Sequence, residues 1–139
     1  MDLSGSQSFS AAPQAVWDAL HNPATLQNAA PISNVQWTDS ALTATVTIPA
    51  LAGPFSGERT VTGEVSENTP PSHLKLTINR GPLSAVTIID IAPEGTGSKL
   101  TYNINATVSG PFSIAAETAG KPIIQGQVNQ FFANLAKSV

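Results

Sequence analysis

Apolar and polar residues alternate along four stretches of the chain. Leu42, Ala44, Val46 and Ile48 alternate with Thr43, Thr45 and Thr47, and Val61, Gly63 and Val65 with Thr60, Thr62 and Glu64. Leu74, Leu76 and Ile78 alternate with Lys75, Thr77 and Asn79, and Leu100, Tyr102, Ile104, Ala106 and Val108 with Lys99, Thr101, Asn103, Asn105 and Thr107. Successive strand side chains point to opposite faces, so each stretch predicts an antiparallel strand with one buried and one solvated face. Residues 2–10 and 34–37 are weaker strand signals. Residues 83–91 are apolar on both faces, with Val86 and Ile88 opposite Ala85, Ile89 and Ile91. That strand predicts an outer patch covered by a loop or a partner chain.

Helical spacing appears at two places. Near the start, Pro13, Val16, Trp17 and Leu20 share a face, Asn22-Pro23 stops the pattern, and a second short helical piece follows. At the end, Ile124, Val128, Phe131 and Leu135 step by about one helical turn, with Ala116, Gly120 and Ile123 upstream on the same stripe. Gln125, Asn129, Gln130 and Lys137 are expected to point away from that stripe. Pro122 predicts a kink or break, with the proline in the first turn of the second piece. Between the strands, "PEGTGS" and "NRGP" suit hairpins, "ENTPPS" is a stiffer connection, and "PALAGPFSG" at 49–57 is a longer, apolar loop. That loop either packs on the sheet end, gates a cavity mouth or presses against a membrane or partner.

The order is thus strand, two short helices, six strands and a long helix. Antiparallel strands must bury their apolar faces together, and one long amphipathic helix is available to cover them. The expected fold is α+β: a seven-stranded curved antiparallel sheet around a long C-terminal helix, in one domain spanning 1–139. The 139-residue length fits one domain.

Composition narrows the chemistry. Charged residues are 11% of the chain, against about 25% in typical soluble domains. The six Lys and Arg are scattered singly and the formal net charge is −3, which argues against nucleic acid. There is no cysteine. The start "MDLSGSQSF" has an acid at position 2 and no apolar h-region, so a cytoplasmic location is expected. His21 and His73 lack partners at metal-ligand spacing and sit at element ends, where exposure is expected. No metal, cofactor or catalytic residue is assigned. Asp90 shares the outer phase with Val86 and Ile88 and reads as a surface acid.

The stretches "LSGSQSFSAAPQAVWDALHNPATL", "GPFSGERTVTGEV", "PEGTGSKLTYNINATVSGPF" and "FFANLAKSV", with Pro31, form a recognisable set. Together they resemble the CoxG family of carbon monoxide dehydrogenase accessory proteins, within the START-like (SRPBCC) helix-grip superfamily. The family's Ile-Pro-Gly-Cys is replaced here by Ala30-Pro31-Ile32-Ser33. The resemblance implies a helix-grip fold and an accessory role toward a molybdenum hydroxylase of the carbon monoxide dehydrogenase type. It also implies handling of a quinone- or lipid-like molecule and peripheral contact with the inner membrane face. A homodimer is a further partner the outer patch allows.

The leading reading is non-catalytic binding of an apolar small molecule between sheet and helix. By alternation and helical phase, its wall is assigned to Val46, Leu76, Ile78, Ile89, Tyr102, Ile104, Ile123, Gln127 and Phe131, with Trp37 and Arg59 nearer the mouth. Inward polar tips at Tyr102 and Gln127 suit a carbonyl-bearing ligand, and structural hydrogen bonding is the alternative account of both. Two alternatives stand beside this reading: a cyclase- or dehydratase-like enzyme in the same fold, and an interaction module with a filled core.

Overall fold

The computed structural model describes residues 2–28, 32–38, 40–48, 57–80, 83–108 and 121–139. Its elements are β1 (Asp2–Phe9), α1 (Pro13–Leu20), α2 (Pro23–Asn28), β2 (Ile32–Trp37), β3 (Ala41–Ile48), β4 (Gly57–Thr69), β5 (His73–Arg80), β6 (Leu83–Glu94), β7 (Gly97–Val108) and α3 (Lys121–Ser138). The strands form one antiparallel sheet in the order β1-β7-β6-β5-β4-β3-β2. Register shifts between Ser33 and Gln36 in β2 and between Val65 and Glu67 in β4 mark irregular ladder positions, where extra residues bend a strand and increase its twist. The sheet curls into a half-barrel, and with α3 it forms the helix-grip arrangement that the element order predicts.

Local chemistry sets the boundaries. Pro13 opens α1, where its missing N–H costs nothing, and the Ala12 carbonyl accepts from the N–H groups of Ala15 and Val16. The Asn22 side chain caps α2, accepting from the N–H of Ala24 at 3.0 Å and of Thr25 at 3.4 Å. A two-residue turn joins β6 to β7, with Gly95 at φ +60° in its first central position. At the start of β7, a side chain on Gly97 would run into the Phe9 carbonyl. Next to it, Ser98 is fully buried and donates to the Ala11 carbonyl at 2.6 Å, tying β7 to the β1–α1 link.

Burial follows the alternation. Ala44, Leu74, Leu76, Ile89, Ile91, Leu100 and Tyr102 join one apolar cluster with Val16, Trp17, Leu20 and Leu26 from α1 and α2, and Phe132 and Leu135 from α3. Val86 and Ile88 are half-buried on the outer face, flanked across the ladder by Thr77, Lys75, Asn105 and Asn103. Pro122 lies in the first turn of α3, as expected. The expected helical stretch upstream of it, and the loop at 49–56, lie outside the described residues.

The phase of α3 is close to the expected one: Leu135 is buried, Val128 and Phe131 pack against the core, and Asn129, Gln130 and Lys137 are exposed. Phe132 joins the buried face, and Gln125 is half-buried against the Tyr102 hydroxyl, which Asn129 also reaches from its exposed position. A buried tyrosine hydroxyl needs partners, and two amides one turn apart supply them.

Candidate functional site

The inner face changes character along the strands. On β5, Leu74 is 1% exposed and Leu76 9%, whereas Ile78 is only half-buried; on β7, Leu100 is 0% and Tyr102 2% exposed, whereas Ile104 is half-buried. Along α3 the same gradient runs the other way. Ile123, Ile124 and Gln127 near its start are half-buried, and Leu135 near its end is fully buried. A contact from Gln125 Nε2 to the Ser4 carbonyl at 3.5 Å, with Leu3 paired to Ile104, puts the start of α3 at the same end as Ile104. One end of the grip is therefore a closed apolar core, and the other presents half-buried isoleucines beside the buried Leu3, Ala85 and Ala106.

Tyr102 stands at the boundary. Its ring stacks on Phe132 at 4.9 Å between centroids, and Phe131 meets Phe132 edge-on at 5.1 Å. The Tyr102 hydroxyl donates to Asn129 Oδ1 at 2.6 Å and accepts from Gln125 Nε2 at 2.7 Å. Gln125 Nε2 also lies 3.1 Å from Asn129 Oδ1. Gly5, paired with Tyr102 across the β1–β7 ladder, leaves room for the phenol: a Cβ there would sit 2.8 Å from the hydroxyl. Beside this group, an open cleft of about 540 Å³ runs between β1 and α3.

The predicted wall residues distribute over this frame. Leu76 and Ile89 are in the packed core, and Trp37, Ile104 and Phe131 are half-buried against it. Ile78, Ile123 and Gln127 are half-buried at the looser end. Tyr102 alone of the set lines the β1–α3 cleft. Val46 and Arg59 pair across β3 and β4, and their side chains lie outside the described residues. Trp37 is anchored, its indole N–H donating to the Leu20 carbonyl at 3.0 Å.

Sequence reasoning missed two groups. His21 is half-buried and lies between the rings of Trp17 and Trp37, at 4.7 and 4.5 Å, with Nδ1 2.8 Å from the Trp17 carbonyl. It locks α1 to β2 instead of standing free at the helix end. On the outer face, His73 Nδ1 lies 2.6 Å from Asp90 and Nε2 2.8 Å from Glu67, with Lys75 3.7 Å from Glu67. Hydrogen bonds to Asp90 and then Glu67 raise the His73 pKa, and the bond to His73 lowers that of Glu67. The signal for this cluster was the β5–β6 register, which sets His73 directly opposite Asp90. As expected, Asp90 faces solvent. Among the described residues, no group of His, Asp and Glu could hold a metal ion, and no helix is long and apolar enough to cross a membrane.

A curled antiparallel sheet gripping a C-terminal helix, with two short helices after the first strand, defines a START-like (SRPBCC) protein. Within that superfamily, the chain belongs to the family described as polyketide cyclase / dehydrase and lipid transport, whose sequence profile matches residues 1–139. Solved structures share the fold. A conserved protein from Geobacillus kaustophilus superposes with a TM-score of 0.82 at 23% identity, over 99% of this chain and 94% of that one. A Thermus thermophilus protein gives 0.78 at 12% identity, over 99% and 95%. A Chromobacterium violaceum protein gives 0.74 at 19% identity, over 100% and 97%. No curated protein matches the chain.

Proposed function

We propose that the protein binds a lipophilic small molecule, quinone- or lipid-like, between the curved sheet and the start of α3, and does no chemistry on it. The observation that carries this reading is the set of inward or helix-borne apolar side chains left half-buried at one end of the grip: Ile78, Ile104, Ile123 and Ile124. Apolar surface left partly in water at a concave site is what an apolar ligand covers. The Tyr102–Gln125–Asn129 group beside it offers neutral donors and acceptors, suited to a carbonyl or hydroxyl headgroup rather than a charged one. Lipid transport in the family's description supports the same class of ligand.

The sequence resemblance to the CoxG family extends the proposal to an accessory role. Its partner would be a molybdenum hydroxylase of the carbon monoxide dehydrogenase type, met at the inner membrane face. A cyclase or dehydratase role is the second reading, favoured by the first half of the family's description. It requires an inward acid or base. Among the described inward strand positions, Tyr102 is the titratable side chain available, and both its hydroxyl contacts are to amides; His21 is the other candidate, half-buried between Trp17 and Trp37.

Native mass spectrometry of protein purified without detergent tests the binding reading. A co-purified lipophilic molecule is expected, lost in a folded Ile104→Asn variant. If that variant carries the same molecule in the same amount, the assignment of the site is wrong.

A further inference from the structure

The half-buried isoleucines border the cleft between β1 and α3. Tyr102 and Ile104 are successive inward residues of β7, about 7 Å apart along the strand. Gly126 and Ile123 are neighbours one turn apart on α3. Tyr102 and Gly126 both line the cleft, so it adjoins Ile104 on the sheet side and Ile123 on the helix side. α3 touches β1 here through Gln125 Nε2, 3.5 Å from the Ser4 carbonyl. Beyond that contact the seam is lined by small residues, Gly5 and Ser6 on β1 and Gly126 and Ala133 on α3. A lipophilic tail lying among the isoleucines would carry its headgroup into this cleft.

The size and chemistry of the cleft narrow the class of headgroup. Its volume of about 540 Å³ is within the roughly 300–1,000 Å³ of small-molecule sites, and a lone carbonyl would fill little of it. No lining residue is charged. The charged residues of α3, Lys121 and Lys137, stand near its two ends, and that of β1, Asp2, accepts a hydrogen bond from Asn105. An ionic headgroup entering the cleft would lose water and gain no counter-charge. Both walls carry neutral polar side chains: Ser4, Ser6 and Gln7 on β1, Asn129 and Gln130 on α3. Each of these can both donate and accept a hydrogen bond, as a ligand hydroxyl does. We infer, on the binding reading above, that this cleft holds the headgroup of the ligand, and that the ligand is a non-ionic amphiphile whose headgroup carries several hydroxyls. Its tail then lies among Ile104 and Ile123.

The test is calorimetric titration of the full chain with four probes of equal tail, each below its micelle concentration: octyl glucoside, octanol, octanoate and octylammonium. The glucoside is expected to bind at least tenfold more tightly than each of the other three. A smaller advantage over octanol means that the cleft takes no hydroxyl-bearing headgroup, which overturns the inference and leaves the tail-binding reading standing. A smaller advantage over either ion overturns it too, because the cleft then does not select against charge. Binding of none of the four overturns the binding reading, and the inference with it. Gly126→Leu locates the headgroup by filling the cleft from the helix side. A Cβ at 126 meets nothing within 4 Å, and leucine favours helix over glycine. This variant should cut the advantage of the glucoside over octanol at least fivefold, and a smaller cut in the folded variant overturns the inference. Gln130→Lys, at an exposed position, is the second variant. By adding a cation to the cleft it should raise octanoate affinity at least threefold, and a smaller gain overturns the placement of the headgroup even if Gly126→Leu fails to fold.

Discussion

Tyr102 shows how a single residue joins core and site. Its ring belongs to the apolar cluster, and its hydroxyl is held by two amides of α3. Tyr102→Phe keeps the ring and removes the hydroxyl, leaving Gln125 and Asn129 to each other and to water. The expected loss is about 1 kcal/mol of stability, read from the denaturant midpoint. If Tyr102 orients the ligand, the same variant weakens binding of a carbonyl-bearing ligand more than that of its hydrocarbon analogue. His73 makes a separate prediction. Its raised pKa means that its contribution to stability is complete below the ordinary value of 6.5 and lost as pH rises through the raised value. Glu67, with a lowered pKa, contributes above its ordinary 4.5 and loses that contribution as pH falls through the lowered value. The cluster therefore supports the fold most between those two ordinary values. An NMR titration should place His73 above a free histidine, and Asp90→Asn should move it down. A His73 that titrates as a free histidine would contradict the network.

At the scale of elements, the fold depends on α3 docking by its second half. Leu135 is fully buried there, and Leu135→Ala should cost about 2–5 kcal/mol, seen as a lower urea midpoint with an unchanged slope. A cost near zero would mean that α3 does not rest on the core. The strands were legible in the sequence because each has one apolar face, and Leu74, Leu76, Leu100 and Tyr102 are buried where their alternation puts them. The stripe of Val128, Phe131 and Leu135 on α3 was legible, but the hydrogen bonds of Gln125 and Asn129 were not. Both look solvent-facing by hydropathy, and the tertiary position of the Tyr102 hydroxyl draws in Gln125, while Asn129 stays exposed. His21 was misread for a related reason, since two tryptophans from different elements enclose it. Of the candidate site, alternation identified the inward phase of Ile78 and Ile104. It could not separate them from Leu76 and Ile89, because inward apolar residues have the same pattern in a packed core and at a half-open end.

Across the whole molecule, burial falls from Leu100 and Leu135 to Ile104 and Ile123, and on the proposed reading the less buried end is the one that receives a ligand. On that reading, the closed end can hold the fold while the other leaves apolar side chains for a ligand to cover. Among the described residues, the outer face is polar around the half-buried Val86 and Ile88, and its recess of about 360 Å³ is lined by the polar Thr62, Glu64, Thr77 and Asn79. The most direct test is NMR on protein with labelled isoleucine methyls, titrated with a short-chain quinone. The account predicts intermolecular contacts from the quinone to the methyls of Ile78, Ile104, Ile123 and Ile124. Contacts confined to Ile88 on the outer face, or none at all, would contradict it.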